Sequence, residues 1–174
     1  MAHVILGLLM LWPQSLYELT KSFEAGVSLF YSASTGSIKR ALDQLLTSGH
    51  IEAEASTGPR GKKVYSITES GRDEFHAWML EEITGNNYEV GALSRSYFLG
   101  LLDPSDRPTV ARNIERRIRE DHDNLAKAEV EISALEVPEQ YADVAKYQMA
   151  TLQYGLATTR TALAWVEQHL PPEE

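Results

Sequence analysis

FYSASTGSIKRALDQLLTSGHI, residues 30–51, is the stretch that decides the fold of this chain. Ser34 is a good N-cap, because its hydroxyl can accept a hydrogen bond from an unpaired N–H of the first helical turn. At 100° per residue, one edge of the predicted helix carries Ile38, Leu42, Leu45 and Gly49. Glycine readily adopts positive φ, so the last of these also predicts the C-terminal stop. The stretch therefore predicts an amphipathic helix.

The opposite face of this helix is polar and includes cationic and amide side chains. It carries Gly36, Ser37, Arg40, Asp43, Gln44 and Thr47, with Lys39 at its margin. A DNA major groove admits a helix, and Arg, Lys and Gln side chains can hydrogen-bond to base edges. Many surface helices also have a solvated polar face, so this pattern alone leaves both interpretations open. The neighbouring segments favour the first one.

Two predicted helices precede this stretch, and a predicted basic hairpin follows it. Residues 3–11 are apolar nearly all round, and Ser15 is a fair N-cap for a second helix. Residues 51–55 and 64–68 are predicted strands. Between them lies STGPRGKK, a turn whose cations are Arg60, Lys62 and Lys63. Three helices followed by a two-stranded basic wing indicate a winged helix-turn-helix in a mainly α chain.

In these elements the chain resembles the PadR family of transcriptional regulators. The resemblance rests on HVILGLLML (3–11), SLYELTKSF (15–23), SASTGSIKRALDQLLTSGHIE (32–52) and GPRGKKVYSITESGRDEF (58–75). The remainder is similar to the larger subgroup of that family, the AphA-like virulence activators, which has C-terminal dimerisation helices. The family often has a tyrosine at the position of Lys39, so any contact made by that ring is here ionic or absent.

The resemblance implies a cytoplasmic, homodimeric regulator, interpreted as a repressor, that binds a pseudo-palindromic operator in double-stranded DNA. A two-fold dimer would present two third helices about one helical turn apart on the same duplex. The expected base readers are Ser37, Lys39, Arg40 and Gln44. The expected phosphate contacts are Lys21, Ser34, Thr35, Arg60, Lys62 and Lys63.

The C-terminal half predicts helices that pair with each other and with a second copy. Residues 84–87 (Thr-Gly-Asn-Asn) are a chain breaker, so the predicted domains are 1–84, the winged helix-turn-helix, and 85–174, a helical dimerisation domain. Apolar heptad stripes before and after Val137-Pro138 predict an antiparallel coiled-coil hairpin. Neither stripe closes a compact domain alone, which favours a dimer. The predicted dimerisation residues are Ile114, Ile118, Leu125, Ile132, Leu152, Leu156, Leu163 and Val166.

The resemblance also implies a small aromatic effector, because similar regulators often sense such molecules between the DNA-binding head and the dimerisation helices. The aromatic side chains that could line its pocket are Trp78, Tyr88, Tyr97, Phe98, Tyr147, Tyr154 and Trp165. Aromatic residues at helical spacing are also ordinary core residues, and some AphA-like regulators depend on partner proteins instead. The effector pocket is therefore one of two open interpretations.

The charge of the chain is unevenly distributed. The formal net charge is −9; residues 1–78 hold 7 Lys/Arg and 8 Asp/Glu, whereas residues 79–174 hold 9 and 17. Residues 39–63 hold 5 Lys/Arg and 3 Asp/Glu, a small local excess of positive charge beside the predicted recognition helix. The overall acidity, with Asp43 and the wing residues Glu52 and Glu54, keeps a second hypothesis open: a protein–protein adaptor that retains the winged helix without binding DNA.

Other functional classes lack support in the sequence. The absence of cysteine excludes disulfides and thiolate chemistry. The apolar run 4–12 is too short to span a bilayer, so no membrane partner is expected. The five histidines are scattered, and His3 is expected to be solvated. No metal-ligand spacing, phosphate-binding loop or nucleophile elbow occurs, so we expect no catalytic residue, metal or cofactor.

Overall fold

The computed structural model describes residues 1–55, 63–85 and 87–170, and it divides into two compact units, Met1–Val110 and Ala111–Glu174. The boundary between these units follows Val110, so it lies further along the chain than the domain boundary predicted at 84–85. The reason is that Phe98 packs in the first unit, where its ring lies 5.9 Å from that of Phe75. The division between a DNA-binding and a dimerisation domain at 84–85 stays a prediction.

The first unit combines helices with a small antiparallel sheet. Its helices are α1 (Ala2–Leu11), α2 (Leu16–Ala25), α3 (Thr35–Thr47), α4 (Glu69–Leu80) and α5 (Tyr88–Phe98). Its strands are β1 (Gln14–Ser15), β2 (Ile51–Ala55) and β3 (Lys63–Ile67), in the order β1-β3-β2. The mainly α winged helix-turn-helix predicted from the sequence is confirmed. Strand β1 was not predicted, because two residues are too few to show an alternating pattern.

The core of this unit includes the apolar edge of α3 and the side chains of α1. Ile38 and Leu42 of α3 are fully buried, as are Ile5 and Leu6 of α1. Burying a side chain of this size contributes about 1.5–3 kcal/mol. Because both sides of α1 are covered and only one edge of α3 is, the polar face of α3 is the one left in solvent.

Thr68 ties α3 to the wing and to α4. Its hydroxyl accepts a hydrogen bond from the N–H of Gly71 at 3.1 Å, which caps α4, and donates to the carbonyl of Gly49 at 2.7 Å. Its own N–H donates to the carbonyl of His50 at 3.1 Å. Gly49 has a φ of +75°, which confirms the expected glycine stop after α3.

Thr68→Val is expected to lower the free energy of unfolding by about 1–2 kcal/mol, because valine keeps the shape but loses the N-cap and the bond to Gly49. Urea denaturation followed by circular dichroism measures it. The matched control is Thr161→Val, since among the described residues the Thr161 hydroxyl donates only to the Ala157 carbonyl, one turn earlier in its own helix. Equal urea midpoints for the two variants would show that Thr68 does not stabilise the fold in this way.

The second unit is an antiparallel helical hairpin. It is formed by α6 (Arg107–Ser133, from residue 111 onward) and α7 (Ala142–His169). His122 Nδ1 lies 2.9 Å from Thr159 Oγ1, and further along Gln153 bonds to Glu129. Later residues of α6 are therefore bonded to earlier residues of α7, which confirms the predicted antiparallel pairing. Among the residues described, no helix is long and apolar enough to cross a membrane.

The residues predicted for dimerisation differ in how far a single chain already covers them. Ile114, Ile118, Leu156 and Val166 are buried; Leu125, Leu152 and Leu163 are half-buried; and Ile132 is 42% exposed. The buried four are therefore covered without a partner copy. A dimerisation role for these residues stays a prediction. Ile132 has the largest exposed fraction among them.

Candidate nucleic-acid interface

The start of α3 is fixed by a reciprocal serine capping box. Ser34 Oγ accepts from the N–H of Ser37 at 3.1 Å, and Ser37 Oγ accepts from the N–H of Ser34 at 2.9 Å. This confirms Ser34 as the N-cap. Ser37 Oγ also lies 2.7 Å from the Ser34 carbonyl, to which it donates. Because that bond uses the single proton of the hydroxyl, Ser37 must give up its bond to the Ser34 carbonyl before it can donate to a base.

Beyond the cap, α3 presents an exposed row of donors. Lys39, Arg40 and Gln44 are all exposed, and within the described residues none of their side chains makes a hydrogen bond or ion pair. Arg40 and Gln44 are four residues apart and therefore point to the same side of the helix. This arrangement leaves their hydrogen-bonding groups available to base edges.

The N-terminal end of α3 favours an anion. Its first turn contains no acidic residue, and Thr35 is exposed there. Unpaired N–H groups and the helix dipole make such an end attractive to phosphate. Thr35 and Ser34 are thus at the correct end of the helix for the predicted phosphate contacts.

The wing is described only at its base. Lys63 is exposed at the start of β3, opposite Ala55. Arg60 and Lys62, the other predicted wing contacts, lie outside the described residues, and their role stays a prediction. Glu52 and Glu54 are exposed on β2, so the wing base carries both signs of charge.

Among the predicted phosphate contacts that the structure describes, Lys21 is the one that it favours least. Its Nζ is 2.6 Å from Glu24 Oε2, and that hydrogen bond raises the pKa of the Lys21 ammonium. Both side chains are largely exposed, so the ion pair is weak. The Glu24 carboxylate nevertheless neutralises part of the Lys21 charge that would attract a phosphate. A DNA contact by Lys21 must compete with this partner.

The predicted aromatic pocket residues occupy different environments. In the first unit, Phe98 is buried and packs edge-on against Phe75 and Tyr97, with ring centroids 5.9 and 4.9 Å away. It is therefore an ordinary core residue. Tyr97 is 46% exposed, and Tyr88 and Trp78 are half-buried.

The other three predicted pocket residues lie on α7 in the second unit. Tyr147 is 67% exposed and Tyr154 is 74% exposed, whereas Trp165 is half-buried. Two rings that stand this far in solvent do not line an enclosed cavity of their unit. The aromatic pocket as a whole stays a prediction.

His3 is half-buried, rather than fully solvated as the sequence had suggested. Its ring stacks on Trp78 with centroids 4.9 Å apart, and Nε2 lies 2.9 Å from Glu74 Oε1. Burial lowers the pKa of His3, although the bond to Glu74 acts in the opposite direction. The expectation was wrong because Trp78, distant in sequence, covers the ring.

Arg95 is a residue that the sequence interpretation missed. It is only 4% exposed, and its guanidinium carbon lies 4.4 Å from the centre of the Trp78 ring. One indication of its burial was present in the sequence: Arg95 is the single charged residue between positions 90 and 102. No group of three or more His, Asp or Glu residues suited to a metal ion occurs in the described part of the chain.

Comparison with known proteins relates the chain to one group of regulators. Residues 5–77 match the family model described as the transcriptional regulator PadR-like family. The negative transcriptional regulator PadR of Bacillus subtilis strain 168 is 22% identical over 171 residues, which cover 97% of this chain and 94% of that protein. The probable transcriptional regulator Rv1176c of Mycobacterium tuberculosis is 32% identical over 84 residues, 47% of this chain and 44% of that one.

A solved structure of Bacillus subtilis PadR in complex with operator DNA is similar at a TM-score of 0.44. The identity is 23%, and the match covers 97% of this chain and 95% of that one. The family match itself extends from α1 through the sheet into α4.

Proposed function

We propose that this chain, which belongs to the PadR-like family of transcriptional regulators through residues 5–77, binds a specific operator in double-stranded DNA through the polar face of α3. The observation that carries the proposal is a set of exposed side chains on a helix whose other edge is buried. Lys39, Arg40 and Gln44 form this set, and no described residue is hydrogen-bonded or ion-paired to them. Arg and Lys address guanine, and Gln addresses adenine, in the major groove.

The contacts divide into those that specify sequence and those that position the protein. Arg40, Gln44 and Lys39 read base edges. Thr35 and Ser34 hold phosphates at the helix start, and the wing contributes Lys63 together with Arg60 and Lys62. The net charge of −9 makes nonspecific attraction weak, so discrimination depends on these few local contacts.

The regulator acts as a cytoplasmic homodimer on a pseudo-palindromic operator. Exposed apolar side chains near the turn of the hairpin support a surface for a second copy: Val130, Ile132, Leu135, Val137, Tyr141 and Val144. Repression is supported by the name of the Bacillus relative, a negative transcriptional regulator. A small effector that changes the affinity for DNA is part of the same proposal.

The experiment that tests the proposal is a titration of the purified full chain with the duplex upstream of its own gene and with a scrambled duplex of equal composition. Fluorescence anisotropy is measured at two salt concentrations. The proposal expects a complex on the upstream duplex that persists at the higher salt, and a weaker, salt-sensitive one on the scrambled duplex. Indistinguishable binding to both duplexes would contradict it.

Lys63→Ala is expected to weaken binding to specific and scrambled duplexes alike and to reduce the salt slope by roughly one, because the variant loses a phosphate contact and no base contact. Anisotropy titrations over a salt series give the slope. Lys127→Ala, an exposed lysine of α6, is the matched control and is expected to leave the slope unchanged. A change confined to the specific duplex would assign Lys63 to base reading instead.

The adaptor hypothesis is favoured by a separate observation, the exposed acids Asp43, Glu52 and Glu54 beside the proposed DNA surface. Such carboxylates repel phosphate and suit a basic protein partner. The same titration separates the two functions, since an adaptor forms no specific DNA complex even at low salt.

A further inference from the structure

Asp43 is an acid within the polar face that α3 presents. It is exposed, and it follows Lys39 and Arg40 by four and three residues. At 100° per residue it therefore lies between those two side chains when the helix is viewed along its axis. Side chains at this spacing are close enough to form ion pairs. The proposed DNA surface thus carries a carboxylate between two of its cations.

The carboxylate of Asp43 has no partner in the described part of the chain. It forms no ion pair with Lys39 or Arg40 and accepts no hydrogen bond from any other described residue. The bond that the Thr47 hydroxyl donates at 2.9 Å goes to the backbone carbonyl of Asp43, which any residue would supply. The side chain therefore has a hydrogen-bonding capacity that the described fold does not use.

Asp43 also lies close to the wing. Burial raises the pKa of the Tyr65 hydroxyl on β3, and the negative charge of Asp43 adds to that shift. Tyr65 itself is only 8% exposed, so β3 holds its ring in the core. A duplex that contacts both α3 and the wing would therefore cover Asp43 as well.

A group that only accepts hydrogen bonds is matched by one base in the major groove. Carboxylates accept and cannot donate. Guanine and thymine present only acceptors as hydrogen-bonding groups there, and adenine presents the acceptor N7 beside its amino group. Cytosine presents its N4 amino group alone. The other bases would leave a desolvated carboxylate without a partner, which is unfavourable.

The spacing from Arg40 indicates which base pair Asp43 contacts. Three residues advance an α-helix by about 4.5 Å, and successive base pairs are about 3.4 Å apart. For a helix that follows the major groove, Asp43 therefore addresses the base pair next to the one that Arg40 reads. Because Arg suits guanine, the expected element is a guanine and a cytosine on neighbouring base pairs.

We propose that Asp43 is a specificity-determining residue that accepts a hydrogen bond from the N4 amino group of one cytosine, next to the base pair that Arg40 reads. On sequences without that cytosine the carboxylate stays unpaired and repels the duplex, which is discrimination against the wrong sequence. The role rests on the proposed function, since it applies only if α3 enters a major groove.

The test is a scan in which each base pair of the upstream duplex is replaced in turn and the affinity of the full chain is measured by fluorescence anisotropy. For the wild type, replacing one C·G pair is expected to lower affinity roughly 5- to 150-fold. Asp43→Ala is expected to reduce that loss to less than about threefold and to leave the losses at other pairs unchanged. It is also expected to bind a scrambled duplex at least about twofold more tightly, because a repulsive charge is gone.

Two further variants separate recognition from general charge. Asp43→Asn keeps the shape of the side chain and adds a donor, so the preference is expected to move from cytosine towards adenine, whose N6 and N7 suit an amide. Asp123→Ala, the same loss of charge at an exposed position of α6, is the matched control and is expected to reproduce the wild-type scan. Unchanged Tm is expected for the variants, because both acids are exposed.

The wild-type scan distinguishes failure of this role from failure of the proposed function. A wild-type protein without any preference for the upstream duplex would contradict both. With that preference present, an Asp43→Ala scan identical to the wild-type scan, or equal weakening on the upstream and scrambled duplexes, would overturn the role of Asp43 alone.

Discussion

Arg40→Ala is expected to lower affinity for the upstream duplex roughly 5- to 150-fold, a loss of about 1–3 kcal/mol, while affinity for a scrambled duplex falls much less. Arg40 is exposed on α3, and the described residues offer its guanidinium no partner. Truncation therefore removes no hydrogen bond or ion pair within the described part of the chain. The expected loss is that of a proposed bidentate contact to a base, which a scrambled duplex would not provide.

The measurement is a pair of anisotropy titrations, one on each duplex, for the wild type and the variant. Arg160→Ala provides the matched control, because Arg160 is an exposed arginine of α7 outside the proposed interface. It is expected to change both affinities by less than about twofold. Equal loss on the two duplexes for Arg40→Ala would make Arg40 a phosphate contact and remove it from sequence recognition.

Gly71→Ala is expected to destabilise the fold by about 1–3 kcal/mol or more, despite the better helix propensity of alanine. A Cβ at position 71 would lie 2.0 Å from the His50 carbonyl oxygen and 2.9 Å from Cγ1 of Ile67. The carbonyl cannot simply withdraw, because it accepts the N–H of Thr68. The methyl group would therefore push α4 away from the turn after α3.

Gly100→Ala is the matched control for this prediction, since a Cβ there meets no atom within 4 Å. It is expected to shift the free energy of unfolding by less than about 0.5 kcal/mol. Urea denaturation of both variants supplies the comparison. A Gly71→Ala protein as stable as Gly100→Ala would mean that the wing and α4 are not packed as described.

Local patterns were sufficient to predict the helix α3 and the strands β2 and β3. Ser34 caps α3 and Gly49 ends it, as the sequence indicated, because both effects act within a few residues. Strand β2 occupies the predicted residues 51–55, and β3 begins one residue earlier than the predicted 64. Alternation and turn residues carry this information along the chain.

Features created by tertiary packing were not predictable in the same way. His3 and Arg95 both meet Trp78, and nothing in the sequence around either residue indicates that contact. The heptad stripes correctly predicted the antiparallel hairpin. They could not indicate that Ile114 and Ile118 are already buried in a single chain, because heptad spacing is the same within a chain and between chains.

The most direct test of the proposed recognition surface is a crystal structure of the full chain with the duplex that it binds best. The account predicts that the N-terminal half of α3 lies in the major groove, with Arg40 and Gln44 within 2.7–3.2 Å of base-edge atoms. A complex in which α3 faces solvent, or in which other elements make the base contacts, would contradict it.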